Sequence, residues 1–266
     1  LCPDCLVGKE DFEMIEMPAE PTQSGVNAMH DGLVLSALDQ PQGPIVIVGS
    51  GYAGYNLAEA VRKLNATIDI VVLTQDDGKH YSKPALSTGL AMQQTAKDLV
   101  VELPLDRANR LSIRIVTHCH VERVDSQAKV VLTSLGQQPY GQLVLAQGAQ
   151  AINIPFDGDA SGDVISVNDL QDYARYRDLL LGKARVLLIG NGLIGCEFAN
   201  DLVSVGKQVD VVGRKSWPMG RLLPEVVGLK LHEALSTMGV NWWLDNQVTS
   251  INYRDTTQPQ LGYSVG

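Results

Sequence analysis

The sequence predicts an α/β protein with two β-α-β units, because the glycine pattern Gly-x-Gly-x-x-Gly occurs twice in it. Residues 49–54 carry the first copy and residues 190–195 carry the second. Each copy follows an apolar run of strand length, at 45–48 and at 186–189, and precedes a segment of helical periodicity. A single copy would be a weak signal, whereas two copies between a strand and a helix are a strong one.

The glycines of each pattern have separate physical roles. The first makes a tight turn, the second lets the backbone approach a pyrophosphate, and the third lets the helix pack closely on the strand. The helix N-terminus then presents free N–H groups and a partial positive charge to the anion. We therefore expect two bound dinucleotides, with an electron path between them. The first cradle is formed by Gly49, Ser50, Gly51, Tyr52, Ala53 and Gly54, and the second by Gly190, Gly192 and Gly195.

The remaining elements follow from apolar periodicity and from residues that begin or end helices. In the first unit we expect a helix near 53–64, a strand at 68–73, a polar segment from 75 to 97, and short strands near 113–116, 121–124, 129–133 and 143–146. In the second unit we expect a helix from Asn168 or Asp169 to 181, a strand at 185–189, a helix near 193–205, a strand at 208–212, a helix near 225–238, and strands near 240–244 and 247–253.

The composition limits the classes of function. Hydrophobic residues make up 45% of the 266 positions, which is ample for a core. The formal net charge of −9 argues against nucleic acid or an anionic membrane as a partner. The apolar runs have the length of strands, so we expect no membrane insertion. The four cysteines lack the spacing of a small secreted disulfide scaffold, which favours a cytoplasmic protein.

The two units differ at the end of their second strand, where an acidic residue contacts the ribose in NAD sites. Asp76 stands there in the first unit, although Asp76-Asp77-Gly78 is also typical of a turn. In the second unit Asp210 lies too early in the strand, and Gly213 stands at the expected position. Arg214 and Lys215 follow it, either as partners of the 2′-phosphate of NADP or as solvated loop charges. We hypothesise that the protein tolerates or prefers NADPH.

Several strings resemble the rubredoxin–NAD(P) reductases. They lie at 50–58, 62–64, 76–78, 81–89, 143–149 and 192–201, the last reading Gly-Leu-Ile-Gly-Cys-Glu-Phe-Ala-Asn-Asp. The resemblance implies FAD in the first cradle, NAD(P)H in the second, and electron transfer from NAD(P)H through the flavin to rubredoxin. The implied fold is a pair of Rossmann-like three-layer nucleotide-binding domains, at 44–155 for FAD and at 156–266 for NAD(P).

The resemblance also implies roles for single residues. Lys83 and Glu197 would lie towards the flavin, where a fixed cation stabilises the anionic reduced form. The alternative for Lys83 is an exposed loop lysine. Glu197 is expected in the first turn of its helix, where the helix dipole alone favours a carboxylate. The other implied cofactor contacts are Ser50 to Ala53 at the pyrophosphate, Gln75 and Asp76 at the ribose, Val121 beside the adenosine, Gly148 in the string 143–149, and Arg214.

The N-terminal segment resembles part of another protein. Cys2-Pro3-Asp4-Cys5, with Asp11-Phe12-Glu13 downstream, is similar to the second metal knuckle and last strand of rubredoxin, in which four thiolates hold one iron. Cys2 and Cys5 would be half of the iron ligands, and the alternative is an unrelated redox or zinc motif. We expect a rubredoxin segment at 1–17, a proline-rich linker at 18–43, and a chain that is a fragment of a longer fusion protein.

Three other functions stay open. A disulfide reductase of the same fold needs a cysteine pair beside the flavin, and between Gly49 and Gly266 the sequence offers only Cys119 and Cys196. We expect Cys196 to be a small packing residue. A reductase of another acceptor, such as a ferredoxin or a nitric-oxide-handling rubredoxin-like domain, is closer. A nucleotide-binding chain without turnover is the third, because the returning Gly-Asp flavin segment of the resembling family is missing here.

Overall fold

The computed structural model of the protein describes residues 43–253 and the backbone of 263–265. Its strands are β1 Ile45–Val48, β2 Ile70–Leu73, β3 His80–Tyr81, β4 Val100–Glu102, β5 Arg114–Val116, β6 Val121–Asp125, β7 Val130–Thr133, β8 Gly136–Pro139, β9 Gln142–Leu145, β10 Arg185–Ile189, β11 Gln208–Gly213, β12 Val240–Leu244, β13 Ile251–Tyr253 and β14 Tyr263–Val265. Its α-helices are α1 Tyr52–Leu64, α2 Pro104–Leu111, α3 Leu170–Leu179, α4 Leu193–Ser204 and α5 Glu225–Thr237, and 3-10 helices lie at Lys83–Ser87 and Ser161–Asp163.

The first sheet consists of four parallel strands in the order β5-β2-β1-β9. All four residues of β1 are buried, which is typical of a central parallel strand that is covered on both faces. Because the strands are parallel, their carboxyl ends meet at one edge. That edge holds the segments that follow β1, β2 and β9, which contain most of the residues expected to bind the first cofactor.

The two faces of the first sheet are covered by different layers. On one face, Tyr55 and Ala58 of α1 pack with Ile47 and Val72 in a buried cluster. On the other face, Val131 of the antiparallel sheet β6-β7-β8 packs on buried residues of β1 and β2. Helix α1, the parallel sheet and the antiparallel sheet β6-β7-β8 form the expected three-layer arrangement.

The second sheet is a parallel sheet in the order β10-β11-β12. Val209 and Val211 of β11 pack against Leu202 of α4 and Tyr173 of α3. Leu86, from the 3-10 helix Lys83–Ser87, belongs to the same buried cluster. A segment of the first β-α-β unit is therefore packed into the core of the second.

The structure confirms most predicted elements and corrects a few. Asp169 is the N-cap of α3, since its carboxylate accepts from the backbone N–H of Gln171 and Asp172. The strand predicted at 247–253 is only Ile251–Tyr253. The sequence did not predict α2, β3, β4, β8, β14 or the two 3-10 helices. Among the described helices, none is long and apolar enough to cross a membrane. The predicted rubredoxin segment at 1–17 and nearly all of the linker at 18–43 lie outside the described residues.

Candidate dinucleotide-binding sites

The first glycine cradle has the close contacts that its sequence predicts. Gly49 has φ +113°, and a Cβ there would lie 2.3 Å from the carbonyl oxygen of Ala146 on the neighbouring segment. A Cβ at Gly54 would lie 1.9 Å from the carbonyl oxygen of Gly49. A Cβ at Gly51, by contrast, would meet no described atom within 4 Å. Two glycines are therefore required by packing, and the middle one leaves an open space.

The open space lies at the N-terminus of α1. Gly51 is the N-cap of this helix, no described side chain caps its N–H groups, and its first turn carries no acidic residue. Tyr52 is 77% exposed, and Ala53 is exposed as well. Free N–H groups and the positive end of the helix dipole favour an anion at this position. The geometry fits the pyrophosphate of a dinucleotide.

Asp76 is fixed at the edge of the first sheet by a short hydrogen-bond network. Its Oδ1 accepts from Thr74 Oγ1 at 2.6 Å, from the backbone N–H of Gly78 at 2.9 Å and from Ser50 Oγ at 3.1 Å. Ser50 is buried and also donates to Thr74 Oγ1 over 2.8 Å. The structure thus joins the glycine cradle to the acid that the sequence places after β2. Thr74 was missed, and its signal was its position directly between an apolar strand and that acid.

The other residues expected around the first cradle occupy separate positions. Gln75 is exposed beside Asp76. Gly148 is exposed with φ +70° after β9, the neighbour of β1. Val121 begins β6 and packs against the core beneath the sheet. Their contacts with the flavin nucleotide stay predictions.

The 3-10 helix Lys83–Ser87 begins with Lys83 and contacts Glu197 through its last residue. Lys83 is exposed, and it forms no ion pair with any residue that the structure describes. Ser87 Oγ donates to Glu197 Oε2 over 2.7 Å. Because α4 begins at Leu193, Glu197 is its fifth residue, and the first turn carries no acid. The expectation that Glu197 lies in the first turn is wrong, so the helix dipole does not account for it.

Asp201 makes a second connection between α4 and the first unit. Its side chain is 1% exposed, and its two carboxylate oxygens accept from the backbone N–H of Ala91 at 2.8 Å and of Leu90 at 3.1 Å. Burial raises the pKa of Asp201, and the two backbone hydrogen bonds oppose that shift. Asp201 was not predicted as a site residue. An acid on the apolar stretch of a helix was the available signal.

The second cradle repeats the geometry of the first. Gly190 has φ +120°, and a Cβ at Gly195 would lie 2.0 Å from the carbonyl oxygen of Gly190. A Cβ at Gly192 would meet no described atom within 4 Å. Gly192 is the N-cap of α4, whose N–H groups have no capping side chain among the described residues and whose first turn lacks an acid. This cradle also fits a pyrophosphate.

Asp210 of β11 forms an ion pair with Arg185 of the neighbouring strand β10. Its Oδ2 accepts from Arg185 Nε at 2.7 Å and its Oδ1 from Trp243 Nε1 at 3.3 Å. The hydrogen bond from Arg185 lowers the pKa of this carboxyl. Asp210 therefore lies away from the strand end, as the sequence predicts. Beyond Gly213, Arg214 and Lys215 are exposed.

Comparison with known proteins identifies the family. The model of the pyridine nucleotide-disulphide oxidoreductases matches residues 43–263. The chain belongs to this family. It is 42% identical over 219 residues to a rubredoxin-NAD(+) reductase of Alcanivorax borkumensis, which covers 81% of this chain and 56% of that protein. It is 41% identical over 214 residues to a nitric oxide reductase FlRd-NAD(+) reductase of Vibrio vulnificus, covering 80% of this chain and 56% of that one.

The solved structures give the same fold. The covalent putidaredoxin reductase–putidaredoxin complex superposes with a TM-score of 0.75 at 25% identity, covering 82% of this chain and 53% of that one. The NADH:rubredoxin oxidoreductase of Clostridium acetobutylicum superposes with a TM-score of 0.66 at 22% identity, covering 77% and 53%. The chain thus spans about half the length of the relatives that it matches.

The two cysteines that the structure describes do not form the pair that a disulfide reductase needs. Cys119 and Cys196 are both free and buried, in different core clusters. Burial raises the pKa of Cys196 to about 11, which makes its thiolate rare at neutral pH. Cys196 is the packing residue that the sequence predicts. Within the described ranges no group of three metal-ligating side chains occurs, and Cys2 and Cys5 lie outside them.

Proposed function

We propose that this protein is an FAD-dependent oxidoreductase that passes electrons from NAD(P)H to rubredoxin. FAD would lie in the first cradle and the pyridine nucleotide in the second. The observation that carries the proposal is the pair of open helix N-termini at Gly51 and Gly192. Each lies next to a glycine at which a Cβ would overlap with backbone atoms. A pyrophosphate is the ligand that both openings fit.

The first cradle would supply contacts for the adenosine and pyrophosphate parts of FAD. The N–H groups of 51–53 would bind the pyrophosphate, and Asp76 with Gln75 would bind the ribose. Gly148 and Val121 would border the adenosine side. Asp76 uses Oδ1 within the protein, so Oδ2 would serve the ribose hydroxyl.

The segment 83–91 would position the flavin side of the site. When bound, FAD supplies acceptance of a hydride from NAD(P)H and release of single electrons. No protein acid or base is needed for that chemistry, so the residues bind and orient. Lys83 would supply positive charge, and the bonds of Ser87 to Glu197 and of Asp201 to 90–91 would fix the segment that carries it.

Relatives named for rubredoxin support rubredoxin as the electron acceptor. Two of them, from Alcanivorax borkumensis and Acinetobacter baylyi, are 42% and 37% identical to this chain. The Cys2–Cys5 segment would be part of a fused carrier, with iron held by these two thiolates and two from elsewhere.

A second candidate acceptor is another small iron–sulfur or rubredoxin-like protein. The matched flavorubredoxin reductase of Vibrio vulnificus and the putidaredoxin reductase complex favour it. The two acceptors use the same nucleotide sites in this proposal. They differ only in the surface that contacts the flavin edge.

The test is anaerobic reduction of the purified protein after incubation with FAD. We expect the flavin absorption band near about 450 nm to bleach on addition of NADH or NADPH. Added rubredoxin, ferredoxin and flavorubredoxin domain, each in separate reactions, would then rank the acceptors. Binding of FAD without bleaching by either nucleotide would contradict the proposal and favour a chain without turnover. Faster reduction of ferredoxin than of rubredoxin would favour the second acceptor.

A further inference from the structure

The side chain of Asn191 occupies the place that an acidic residue takes in many NAD sites. A Cβ at Gly213, the last residue of β11, would lie 2.1 Å from Asn191 Cγ, 2.3 Å from its Oδ1 and 2.5 Å from its Cβ. The backbone of Gly213 has no positive φ. Gly213 is therefore required by the neighbouring side chain, and not by its own conformation.

Asn191 is also held where it is. It is only 5% exposed, and its Nδ2 donates to the carbonyl oxygens of Lys215 at 2.8 Å and Trp217 at 3.2 Å. Its own carbonyl accepts from the N–H of Met219 at 2.7 Å. These bonds join the second glycine pattern to the loop after β11. Rotation of Asn191 away from Gly213 would break two of them, and its Cβ would still obstruct a side chain at 213.

The same loop carries two cations at the strand end. Arg214 and Lys215 are exposed, and neither forms an ion pair with a described residue. Their position after β11 is where the 2′ substituent of the adenosine ribose lies in this type of site. A 2′-phosphate would find two cations there and no carboxylate at position 213, and the nearby Asp245 carboxylate accepts from Ser216 Oγ at 2.8 Å. A 2′-hydroxyl would lose only the acid that normally accepts from it.

We propose that Asn191 is a specificity-determining residue, which excludes an acidic side chain at 213 and so leaves the second cradle open to both NADH and NADPH. The inference rests on the proposed function, because it requires a pyridine nucleotide in this cradle. It adds a residue of the glycine pattern itself to the determinants of nucleotide choice. It also predicts that positions 191 and 213 cannot be changed independently.

A double-mutant cycle tests this coupling by calorimetric titration with NADH and with NADPH, together with melting temperatures. We expect the parent protein to bind both nucleotides with dissociation constants within roughly tenfold of each other. Gly213→Glu alone should weaken both nucleotides by roughly tenfold or more and lower the melting temperature, because the glycine pattern must move. Asn191→Gly/Gly213→Glu should recover NADH binding and bind NADPH roughly tenfold more weakly than NADH.

Adenosine 5′-monophosphate and adenosine 2′,5′-bisphosphate serve as probes that need neither nicotinamide nor flavin, and should show the same pattern. The inference is overturned if Gly213→Glu binds NADH as tightly as the parent at an unchanged melting temperature. A parent preference above roughly a hundredfold for either nucleotide also overturns it. If the parent binds neither nucleotide, the proposed function fails and this inference fails with it.

Discussion

Ser87 and Glu197 are hydrogen-bonded across 110 positions of the chain, with the Ser87 hydroxyl 2.7 Å from Oε2 of the glutamate. Ser87 ends the 3-10 helix that begins at Lys83, and Glu197 lies on α4, the helix that begins at the second cradle. A shift of α4 would therefore strain or break a contact that holds the segment proposed to face the flavin. This contact is local in space and invisible in the order of the sequence.

Ser87→Ala should slow the reduction of bound flavin by NADH roughly tenfold, because the segment 83–87 loses its fixed position. The loss of this hydrogen bond to a carboxylate should lower the free energy of unfolding by about 1.5–3 kcal/mol and by no more than that. Stopped-flow absorbance and urea unfolding measure the two effects. Thr88→Ala is the matched control, since among the described residues the exposed Thr88 hydroxyl hydrogen-bonds only to the Ala85 carbonyl oxygen, at 3.5 Å. Equal rates for both variants would contradict the proposed positioning role.

Asp201→Asn should change the pH dependence of stability with a definite sign. Burial raises the pKa of Asp201 above its ordinary value of 3.8. At pH values between 3.8 and the raised pKa, the folded state therefore binds more protons than the unfolded state. The parent's unfolding free energy therefore gains from Asp201 at low pH and loses that gain as pH rises through the raised pKa. The variant lacks this contribution. The difference in unfolding free energy between parent and variant should therefore be larger at about pH 4 than at about pH 7.

Urea unfolding at the two pH values measures this difference for Asp201→Asn. Asp178→Asn, on the exposed side of α3, is the control and should show the same small effect at both. A deficit that grows towards neutral pH would show that the lost backbone hydrogen bonds to 90–91 outweigh the burial of the charge.

The parts of the fold that were predicted are those whose signal lies in short stretches of sequence. The glycine turns, the buried parallel strands and the Asp169 cap follow from local rules, and their boundaries agree within a few residues. The contacts of Asp201 with 90–91 and of Asn191 with Gly213 were not predicted. They join residues from 22 to 111 positions apart, so no local pattern contains them.

Helix α2 was missed for a physical reason of its own. Its buried side is formed by Arg107 and Leu111, while the apolar Leu105 is 69% exposed. Arg107 is 3% exposed; its Nε lies 2.7 Å from Glu102 Oε2, and its guanidinium lies 4.4 Å above the ring of Tyr55. A buried cation thus takes the place of an apolar residue and disrupts the periodicity by which helices are detected.

Arg107→Ala should destabilise the protein by about 1.5–3 kcal/mol, because it removes the buried charged partner of Glu102 and the contact with Tyr55, while Arg110 still pairs with Glu102. Arg110→Ala is a matched control on the same helix. Arg110 also pairs with Glu102, at 2.8 Å, but is largely exposed, so we expect a loss of about 0–1 kcal/mol. Chemical unfolding of both variants measures the difference. A loss below about 1 kcal/mol for Arg107→Ala would refute a structural role for the buried pair.

One added methyl group in each cradle should show which ligand that cradle binds. A Cβ at Gly51 or at Gly192 would meet no described atom, and both backbones have ordinary negative φ, so neither Gly51→Ala nor Gly192→Ala should lower the melting temperature by more than a few degrees. Each methyl group would, however, stand between the helix N-terminus and a pyrophosphate. We expect Gly51→Ala to weaken FAD binding roughly tenfold or more and to leave NADH binding unchanged, and Gly192→Ala to do the reverse.

Gly54→Ala is the contrasting variant. Its Cβ would lie 1.9 Å from the Gly49 carbonyl oxygen, so it should cost about 1–3 kcal/mol or more of folding free energy even without cofactor. Calorimetric titration of each variant with FAD and with NADH decides the assignment, and loss of the same ligand in both cradle variants would contradict the assignment of one cofactor to each site.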